Sequence, residues 1–274
     1  MDCALPQMAV DHYENFPVAS LLLPPRWRIP VALIYRFARE ADDFADEGSD
    51  QPETRLAKLA AYQAQLATIG RGITPADPLF EGIARIARDH HLPLQLFGDL
   101  LDAFSQDVVK NRYADFHEVL DYCRRSANPV GRLLLHLFGR ATPENLACSD
   151  SICSALQLVN FWQDVELDYA MGRIYLPQDE MKRYAVTEAH ISEQRCDDAW
   201  RALIEFQVGR ARTMLHSGAP LGRALPGRVG LEIRATVQGG LRILEKLERA
   251  RCDMFRHRPV LKWFDWPLLL ARSL

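Results

Sequence analysis

Apolar residues recur at the three- and four-residue spacing of an α-helix along almost the whole chain. Alternating Val/Ile/Thr runs bounded by turns, the usual mark of strands, do not recur. The breaks carry turn-forming residues, as at positions 24–25, 70–72 and 217–220. No composition shift marks a domain boundary, so the sequence predicts one all-α domain of about ten helices over residues 1–274. The predicted helical segments are 31–38 with an acidic end, 55–69, 79–88, 94–109, 118–126, 130–138, 145–168, 197–216 and 231–251.

Charge and cysteine content narrow the possible partners. Thirty-three basic against 36 acidic residues give a net charge of −3, which argues against a nucleic-acid binder but leaves room for a local small-anion site. The six cysteines form no CxxC pair and no zinc spacing, as expected of reduced thiols in a cytoplasmic protein. We find no signal peptide and no apolar run of roughly 18 residues. The apolar run 263–270 is expected to dock on the fold, with a peripheral contact to the inner membrane left open.

An acidic motif ends the first predicted helix. Asp42 and Asp46 are four residues apart, so they lie one turn from each other on one face, with Tyr35 and Arg39 on the same side. Like charges at this spacing destabilise a helix by a few tenths of a kcal/mol, and a bound cation would reverse that cost. Mg²⁺ takes oxygen ligands and keeps several waters, so one or two carboxylates suffice for each ion. Taken alone, the motif fits a solvated acidic helix end equally well.

A second acidic motif favours a metal site over a solvated helix end. Asn160, Asp164 and Asp168 follow each other at four-residue steps after apolar turns, and buried carboxylates without a partner are costly. Two such helices facing each other would form a cage for several Mg²⁺ ions, which in turn could hold a diphosphate. The following loop would place Arg173 over a phosphate, although Gly and Pro after a helix are also ordinary helix-ending residues.

These motifs give the chain a family resemblance. Together with residues 12–20, 35–39, 122–131 and 160–165, they resemble the squalene/phytoene synthase family of head-to-head prenyl synthases over nearly the whole length. Within that family the chain is most similar to the bacterial branch that makes hydroxysqualene. The resemblance implies an isoprenoid-synthase-type helical bundle around a deep central cavity, a prenyl diphosphate substrate and Mg²⁺ as cofactor.

The resemblance also implies roles for individual residues. Mg²⁺ would be held by side chains of both motifs, namely Asp42, Asp46, Asn160, Asp164 and Asp168. Catalysis would depend on the four aspartates and a cavity tyrosine, namely Asp42, Asp46, Asp164, Asp168 and Tyr35. Substrate contacts would come from His12, Asn15, Arg39, Asn128, Gln157, Gln163, Arg173 and Tyr175.

Two departures from the family pattern bear on the reaction. Many relatives carry Arg at the position of Gln163 and Gly at that of Asn128. Loss of the Arg removes a fixed positive charge, which argues against binding two prenyl diphosphates, and a neutral amide could instead position water. The resemblance to the hydroxysqualene-forming branch implies conversion of presqualene diphosphate and water to hydroxysqualene and diphosphate, in squalene and hopanoid biosynthesis.

Two other functions stay open from the sequence. One is a condensing squalene or phytoene synthase that joins two prenyl diphosphates. The other is a helical assembly factor built on a decayed synthase scaffold, against which the intact acidic motifs speak. No Gly-x-Gly-x-x-Gly motif for a nicotinamide cofactor is found. Other enzymes of the same pathway are a further class of partner left open.

Overall fold

The computed structural model describes residues 23–274, and over this range it consists of fourteen α-helices and one 3₁₀ turn. The expectations for His12 and Asn15 lie outside the described residues. The helices are α1 (Pro25–Asp46), α2 (Pro52–Gly70), α3 (Pro78–His90), α4 (Leu94–Val109), α5 (Phe116–Ser126), α6 (Asn128–Leu137), α7 (Pro143–Gln163), α8 (Val165–Ala170), α9 (Gln178–Arg183), α10 (Glu188–Ser192), α11 (Asp198–Gly218), α12 (Leu221–Ala224), α13 (Gly227–Arg249) and α14 (Trp266–Ser273), with the 3₁₀ turn over Trp263–Asp265.

The predicted all-α class is confirmed, and local chemistry explains where several helices begin. The Asp77 carboxylate accepts hydrogen bonds from the backbone N–H groups of Leu79 and Phe80 at the start of α3. Thr142 caps α7 in the same way, and Pro143 occupies its first turn, where a missing N–H costs nothing. The count exceeds ten because α8, α9, α10, α12 and α14 have only four to eight residues, too few to show a helical period.

The prediction of one continuous helix over 145–168 is wrong. Helix α7 ends at Gln163, Asp164 leaves helical geometry with φ −109° and ψ 16°, and α8 begins at Val165. The Asp168 N–H still donates to the Asp164 carbonyl oxygen at 2.8 Å, so the spacing of the second motif survives the break. The break matters because it turns Asp164 from a mid-helix residue into a residue at a helix junction.

The hydrophobic core consists of two clusters that meet at a cavity. One cluster is built from α1 to α4 and α6, with Phe37, Phe80 and Phe97 fully buried, and the other is centred on α7, α11 and α13 around Trp162 and Trp200. Side chains from both clusters line the cavity described below. None of the helices over residues 23–274 is long and apolar enough to cross a membrane.

Close packing of α11 against α7 supports the second acidic motif. A Cβ built on Gly218 would lie 2.5 Å from the Cys148 carbonyl oxygen and 2.5 Å from Cγ1 of Ile152, both on α7. A backbone oxygen moves only if the helix moves. Gly218 therefore sets how closely the end of α11 approaches the helix that leads to Asp164.

We predict that Gly218→Ala lowers the free energy of unfolding by about 1–3 kcal/mol, because the added methyl group forces α11 away from α7. Gly209→Ala is the matched control on the same helix, since a Cβ there meets nothing within 4 Å. Alanine has the higher helix propensity, so the control should gain about 0.5–1 kcal/mol. Urea unfolding followed by circular dichroism measures both. Equal effects of the two substitutions would contradict the close-packing explanation.

Candidate active site

The first acidic motif lies on the last turns of α1. Arg39 is paired within the same helix: its Nε lies 2.9 Å from Oδ1 of Asp43, its Nη1 3.6 Å from Oδ2 of Asp42 and its Nη2 3.2 Å from Oε1 of Glu47. Asp46, one turn beyond Asp42, is not part of this network. Its Oδ1 is met instead by an arginine from elsewhere in the chain.

That arginine comes from the loop after α8, which the sequence predicted to bring Arg173 over the site. The Nη1 of Arg173 lies 2.7 Å from Oδ1 of Asp46, and Arg173 is buried. Arg112 holds the loop in place by donating to the Gly172 carbonyl oxygen at 2.6 Å, and the Ile174 N–H donates to the carbonyl oxygen of residue 111. The loop thus carries a positive charge to the first acidic motif.

The second motif spans the junction of α7 and α8. Asn160 lies on α7, Asp164 at the junction and Asp168 on α8. Arg258 donates from Nε to Oδ1 of Asp164 at 2.6 Å and from Nη2 to Oδ2 at 3.0 Å, a bidentate pair between residues 94 positions apart. Each acidic motif is therefore contacted by an arginine from a distant segment.

The two motifs lie within electrostatic reach of each other. Burial raises the pKa of Asp168 to about 8, with further contributions from the carboxylates of Asp164, Asp46 and Asp107. Burial and the neighbouring Asp46 likewise raise the pKa of Asp42 to about 7. Arg173 joins the two motifs directly: its backbone N–H donates to the Asp168 carbonyl oxygen at 2.8 Å, and its Nη1 lies 2.7 Å from Oδ1 of Asp46. The acidic ends of α1 and α8 therefore share one region.

A buried hydrogen-bond network centred on Asp107 of α4 packs against this region. Asp107 accepts from the Tyr122 hydroxyl at 2.6 Å and from the Tyr175 hydroxyl at 3.0 Å. Burial raises the pKa of Asp107 to about 6, against the opposing effect of Arg173. The Tyr175 ring stacks on Phe161 with centroids 3.8 Å apart. Tyr175, predicted as a substrate contact, is thus committed to orienting Asp107.

A cavity of about 400 Å³ has Asp42 in its wall, while Asp46, Asp107, Asp164 and Asp168 are not among its lining residues. Its walls are largely apolar and come from both hydrophobic clusters, including Val31, Ile34, Phe104, Val130, Leu134 and Leu156. Five of the predicted site residues lie at its polar side, namely Tyr35, Arg39, Asp42, Gln157 and Asn160. A charged, oxygen-rich side and a hydrocarbon-like interior suit an amphiphile with an anionic head group.

Two predicted substrate contacts are placed elsewhere and require correction. Gln163 is buried and its Nε2 donates to the Pro259 carbonyl oxygen at 2.6 Å. Asn128 is buried between α6 and α7, where its Oδ1 accepts from the Ser154 hydroxyl at 2.9 Å. Neither lines the cavity. Their amides satisfy backbone and side-chain groups within the fold, so their placement does not match a role in holding water or substrate.

Arg258 is the site residue that the sequence analysis missed. It lies in an irregular segment near the C-terminus, and nothing in its neighbourhood repeats the spacing of the acidic motifs. The contact with Asp164 exists only because the chain after α13 returns to the end of α7. The sequence around Arg258 shows only that basic residues occur at 256–258, and this gives no indication that Asp164 is the partner.

The carboxylates fit Mg²⁺ as separate pairs rather than as one closed cage. Among residues 23–274, no group of three or more His, Cys, Asp or Glu side chains is arranged around a single ion position. Mg²⁺ commonly takes one or two carboxylates and keeps water on its other positions. Burial, and after it a neighbouring carboxylate, raises the pKa of Asp42 and of Asp168, and a bound cation would favour the ionised form of both. Such a donor set suits divalent cations.

Comparison with known proteins decides the family. The family model described as squalene/phytoene synthase matches residues 9–265. The chain belongs to the squalene/phytoene synthase family. The squalene/phytoene synthase fold is also evident in solved structures: a squalene synthase, HpnC, from Alicyclobacillus acidocaldarius shares 34% identity with a TM-score of 0.81, covering 88% of this chain and 90% of that one.

Similar sequences in the squalene/phytoene synthase family include hydroxysqualene synthases and phytoene synthases. A hydroxysqualene synthase from Rhodopseudomonas palustris is 35% identical over 237 residues, which are 86% of this chain and 80% of the relative. A hydroxysqualene synthase from Zymomonas mobilis is 34% identical over 90% of this chain and 80% of the relative. A 15-cis-phytoene synthase from Synechococcus elongatus is 28% identical over 92% of this chain and 85% of its own length.

We predict that Arg258→Gln lowers the free energy of unfolding by about 1 kcal/mol or more, because it leaves Asp164 beside Asp168 without its counter-charge. Arg256→Gln is the control two residues away, with a side chain 78% exposed and 3.8 Å from Asp253. It should change stability by less than about 0.5 kcal/mol. Chemical unfolding of both variants tests this, and an effect of Arg258→Gln no larger than the control would mean that the ion pair contributes nothing.

Proposed function

We propose that this protein converts presqualene diphosphate and water to hydroxysqualene and diphosphate, with Mg²⁺ as cofactor. The observation that carries the proposal is the crowding of carboxylates from α1, α4 and α8 beside one apolar cavity. The names of the relatives at 34–35% identity support the same reaction. Release of diphosphate in the presence of water makes this a carbon–oxygen lyase of the squalene/hopanoid route.

The carboxylates and arginines account for the diphosphate end of the substrate. Asp42, Asp46, Asn160, Asp164 and Asp168 would hold Mg²⁺, which when bound neutralises the charge that develops on the leaving diphosphate. Arg39 lies at the cavity side of the first motif and Arg173 beside Asp46. Preorganised positive groups at the point where charge develops lower the barrier to ionisation, typically by several kcal/mol.

The cavity accounts for the hydrocarbon end. Ionisation breaks the carbon–oxygen bond to diphosphate and leaves a cyclopropylcarbinyl cation, which must be shielded until the ring has opened. The rings of Tyr35, Phe104 and Tyr122 line the cavity and can each stabilise a cation by about 0.5–2 kcal/mol. Phe161 and Trp162 are packed in the core and do not line the cavity.

Capture by water completes the reaction without a reductant. A water oxygen forms the new carbon–oxygen bond and its proton is lost, so atoms and charge balance with release of diphosphate. Gln163 is neutral where many relatives carry Arg, and Arg258, which contacts the second motif, is committed to the Asp164 carboxylate by two hydrogen bonds. Neither side chain offers a positive charge to order a second diphosphate, which supports this outcome. A head-to-head condensing synthase, supported by the phytoene synthase relatives, is the alternative.

We predict that purified protein with Mg²⁺ converts presqualene diphosphate to hydroxysqualene without any nicotinamide cofactor. Farnesyl diphosphate alone should give no C30 product, because Gln163 is neutral and Arg258 is held by Asp164, so the second motif offers no positive charge to a second diphosphate. Gas chromatography with mass detection identifies the products. Formation of presqualene diphosphate, squalene or dehydrosqualene from farnesyl diphosphate would establish the condensing alternative instead. A folded protein inert with both substrates would favour the assembly-factor function.

We predict that Asp42→Asn and Asp168→Asn each lower turnover by about a hundredfold or more, since each removes charge from the cluster with little change in volume. The unfolding free energy should stay constant or rise, because both carboxylates are repelled by their neighbours. Asp89→Asn is the control, an exposed aspartate 3.6 Å from Arg88 on α3. Turnover and thermal unfolding are measured on the same preparations. Near wild-type turnover in either cluster variant would remove these carboxylates from the mechanism.

A further inference from the structure

Exposed apolar side chains are concentrated at the C-terminus. Six of the eleven large hydrophobic residues exposed over residues 23–274 lie in the last twelve positions, and Trp263 and Leu274 are 82% and 96% exposed. Single exposed hydrophobic residues are normal in a folded protein, whereas a contiguous group indicates an interaction surface. We call this group the C-terminal apolar surface: Trp263, Phe264, Trp266, Leu268, Leu270 and Leu274.

This surface is held on the fold by a buried ion-pair network. Asp265 lies between the exposed aromatic residues, is 1% exposed, and accepts from Arg242 at 2.8 Å and from Lys246. The Lys262 backbone N–H donates to the same carboxylate at 2.8 Å. Burial alone would raise the pKa of Asp265, but these bonds lower it to about 2. Leu269 is buried as well, so the outward direction of the apolar residues is built into the structure.

The predicted docking of residues 263–270 therefore describes only part of this segment. Asp265 and Leu269 do dock on the body of the protein. The aromatic residues on either side of Asp265 face outward, because the network above fixes the turn in that orientation. What remains is a short amphipathic element with Trp and Phe at one end and Leu at the other.

The charges around the surface indicate its partner. Residues 254–274 contain four basic residues and a single acidic one, Asp265, which is buried. Within the described range, Lys262 is exposed next to Trp263 and its Nζ has no carboxylate within 4.0 Å. Arg256 is exposed earlier in the segment and lies 3.8 Å from Asp253, while Arg272 is paired with Glu245. Aromatic rings beside basic side chains, with no exposed Asp or Glu side chain over residues 254–274, complement the boundary between acyl chains and anionic head groups.

We propose that the C-terminal apolar surface seats this protein on the face of an anionic lipid bilayer. The same segment connects that surface to the active site: Arg258 contacts Asp164, and Trp263 follows five positions later. Five residues span at most about 18 Å, so a bilayer at Trp263 lies close to the second acidic motif. Delivery of a prenyl substrate from that bilayer rests on the proposed function, whereas the binding itself does not.

Vesicle binding by the full-length protein tests the proposal without any substrate. We expect co-sedimentation with vesicles of phosphatidylglycerol mixed with phosphatidylcholine, weaker binding to phosphatidylcholine alone, and loss of binding as salt is raised. Tryptophan emission should shift to the blue as Trp263 and Trp266 enter the lipid. Because no turnover is measured, failure here is distinguishable from failure of the proposed reaction.

Matched variants assign the binding to this surface. Trp263→Ser with Phe264→Ser should weaken binding to anionic vesicles at least tenfold. Ile73→Ser with Val109→Ser, at residues 55% and 69% exposed outside the surface, should leave it unchanged. Lys262→Glu with Arg256→Glu provides a second test that keeps the apolar residues and should abolish the preference for anionic lipid.

Four results would overturn the proposal. The first two are no binding to either kind of vesicle, and equal binding by the Trp263→Ser/Phe264→Ser variant and the control variant. The third is that the charge-reversed variant still prefers anionic lipid. The fourth is that acrylamide fails to quench the fluorescence of the surface tryptophans in the free protein. The last would mean that another part of the chain covers the surface. Light scattering that shows a dimer abolished by Trp263→Ser with Phe264→Ser would assign the surface to a second copy instead.

Discussion

Repulsion among buried carboxylates is the interaction around which the rest of this structure is organised. Asp42, Asp107 and Asp168 come from three helices and all have raised pKa values, because each is desolvated and each is close to further acidic groups. Such an arrangement opposes folding unless positive charge is supplied. The fold supplies part of that charge with arginines from three different places: the first helix itself, the loop after α8 and the segment after α13.

Those arginines explain why two irregular segments, the loop after α8 and the chain after α13, return to the acidic motifs. The loop around Arg173 is held by Arg112 and by a backbone hydrogen bond to the loop between α4 and α5, so its charge meets Asp46 at a defined position. The segment after α13 returns to Asp164 through Arg258, and the carbonyl oxygen of Pro259 accepts from Gln163. On the proposed function, Arg173 lies beside the carboxylates that would hold the diphosphate through Mg²⁺, so a group that stabilises the fold also stabilises the leaving group.

Short-range patterns were predictable from the sequence, and long-range ones were not. The spacing of Asp42 and Asp46 and the presence of a second acidic motif follow from helical periodicity, which is a property of neighbouring residues. The break at Asp164 leaves the four-residue spacing intact, so no local signal could reveal it. The pairing of Arg258 with Asp164 joins residues 94 positions apart in a segment without periodicity.

Gln163 and Asn128 illustrate the same limit at the site. Both were interpreted through their difference from the family pattern, yet their side chains are engaged by the Pro259 carbonyl and the Ser154 hydroxyl. A buried amide takes the nearest donors and acceptors, and those are set by packing rather than by the motif in which the residue lies. The charge argument at Gln163 does not depend on where the amide points, and Arg258 does not replace the missing arginine because its guanidinium is held by the Asp164 carboxylate.

The central claim is that the carboxylate cluster binds diphosphate only together with divalent cations. Thermal unfolding with inorganic diphosphate and Mg²⁺, singly and combined, tests it most directly. Ligand at a hundred times its Kd stabilises a folded protein by about 2.7 kcal/mol, so the combination should raise Tm by several degrees. Diphosphate with a chelator should give no increase, since it would face uncompensated carboxylates. An equal increase in Tm with diphosphate in the presence and absence of Mg²⁺, or no increase with both ligands together, would contradict the account.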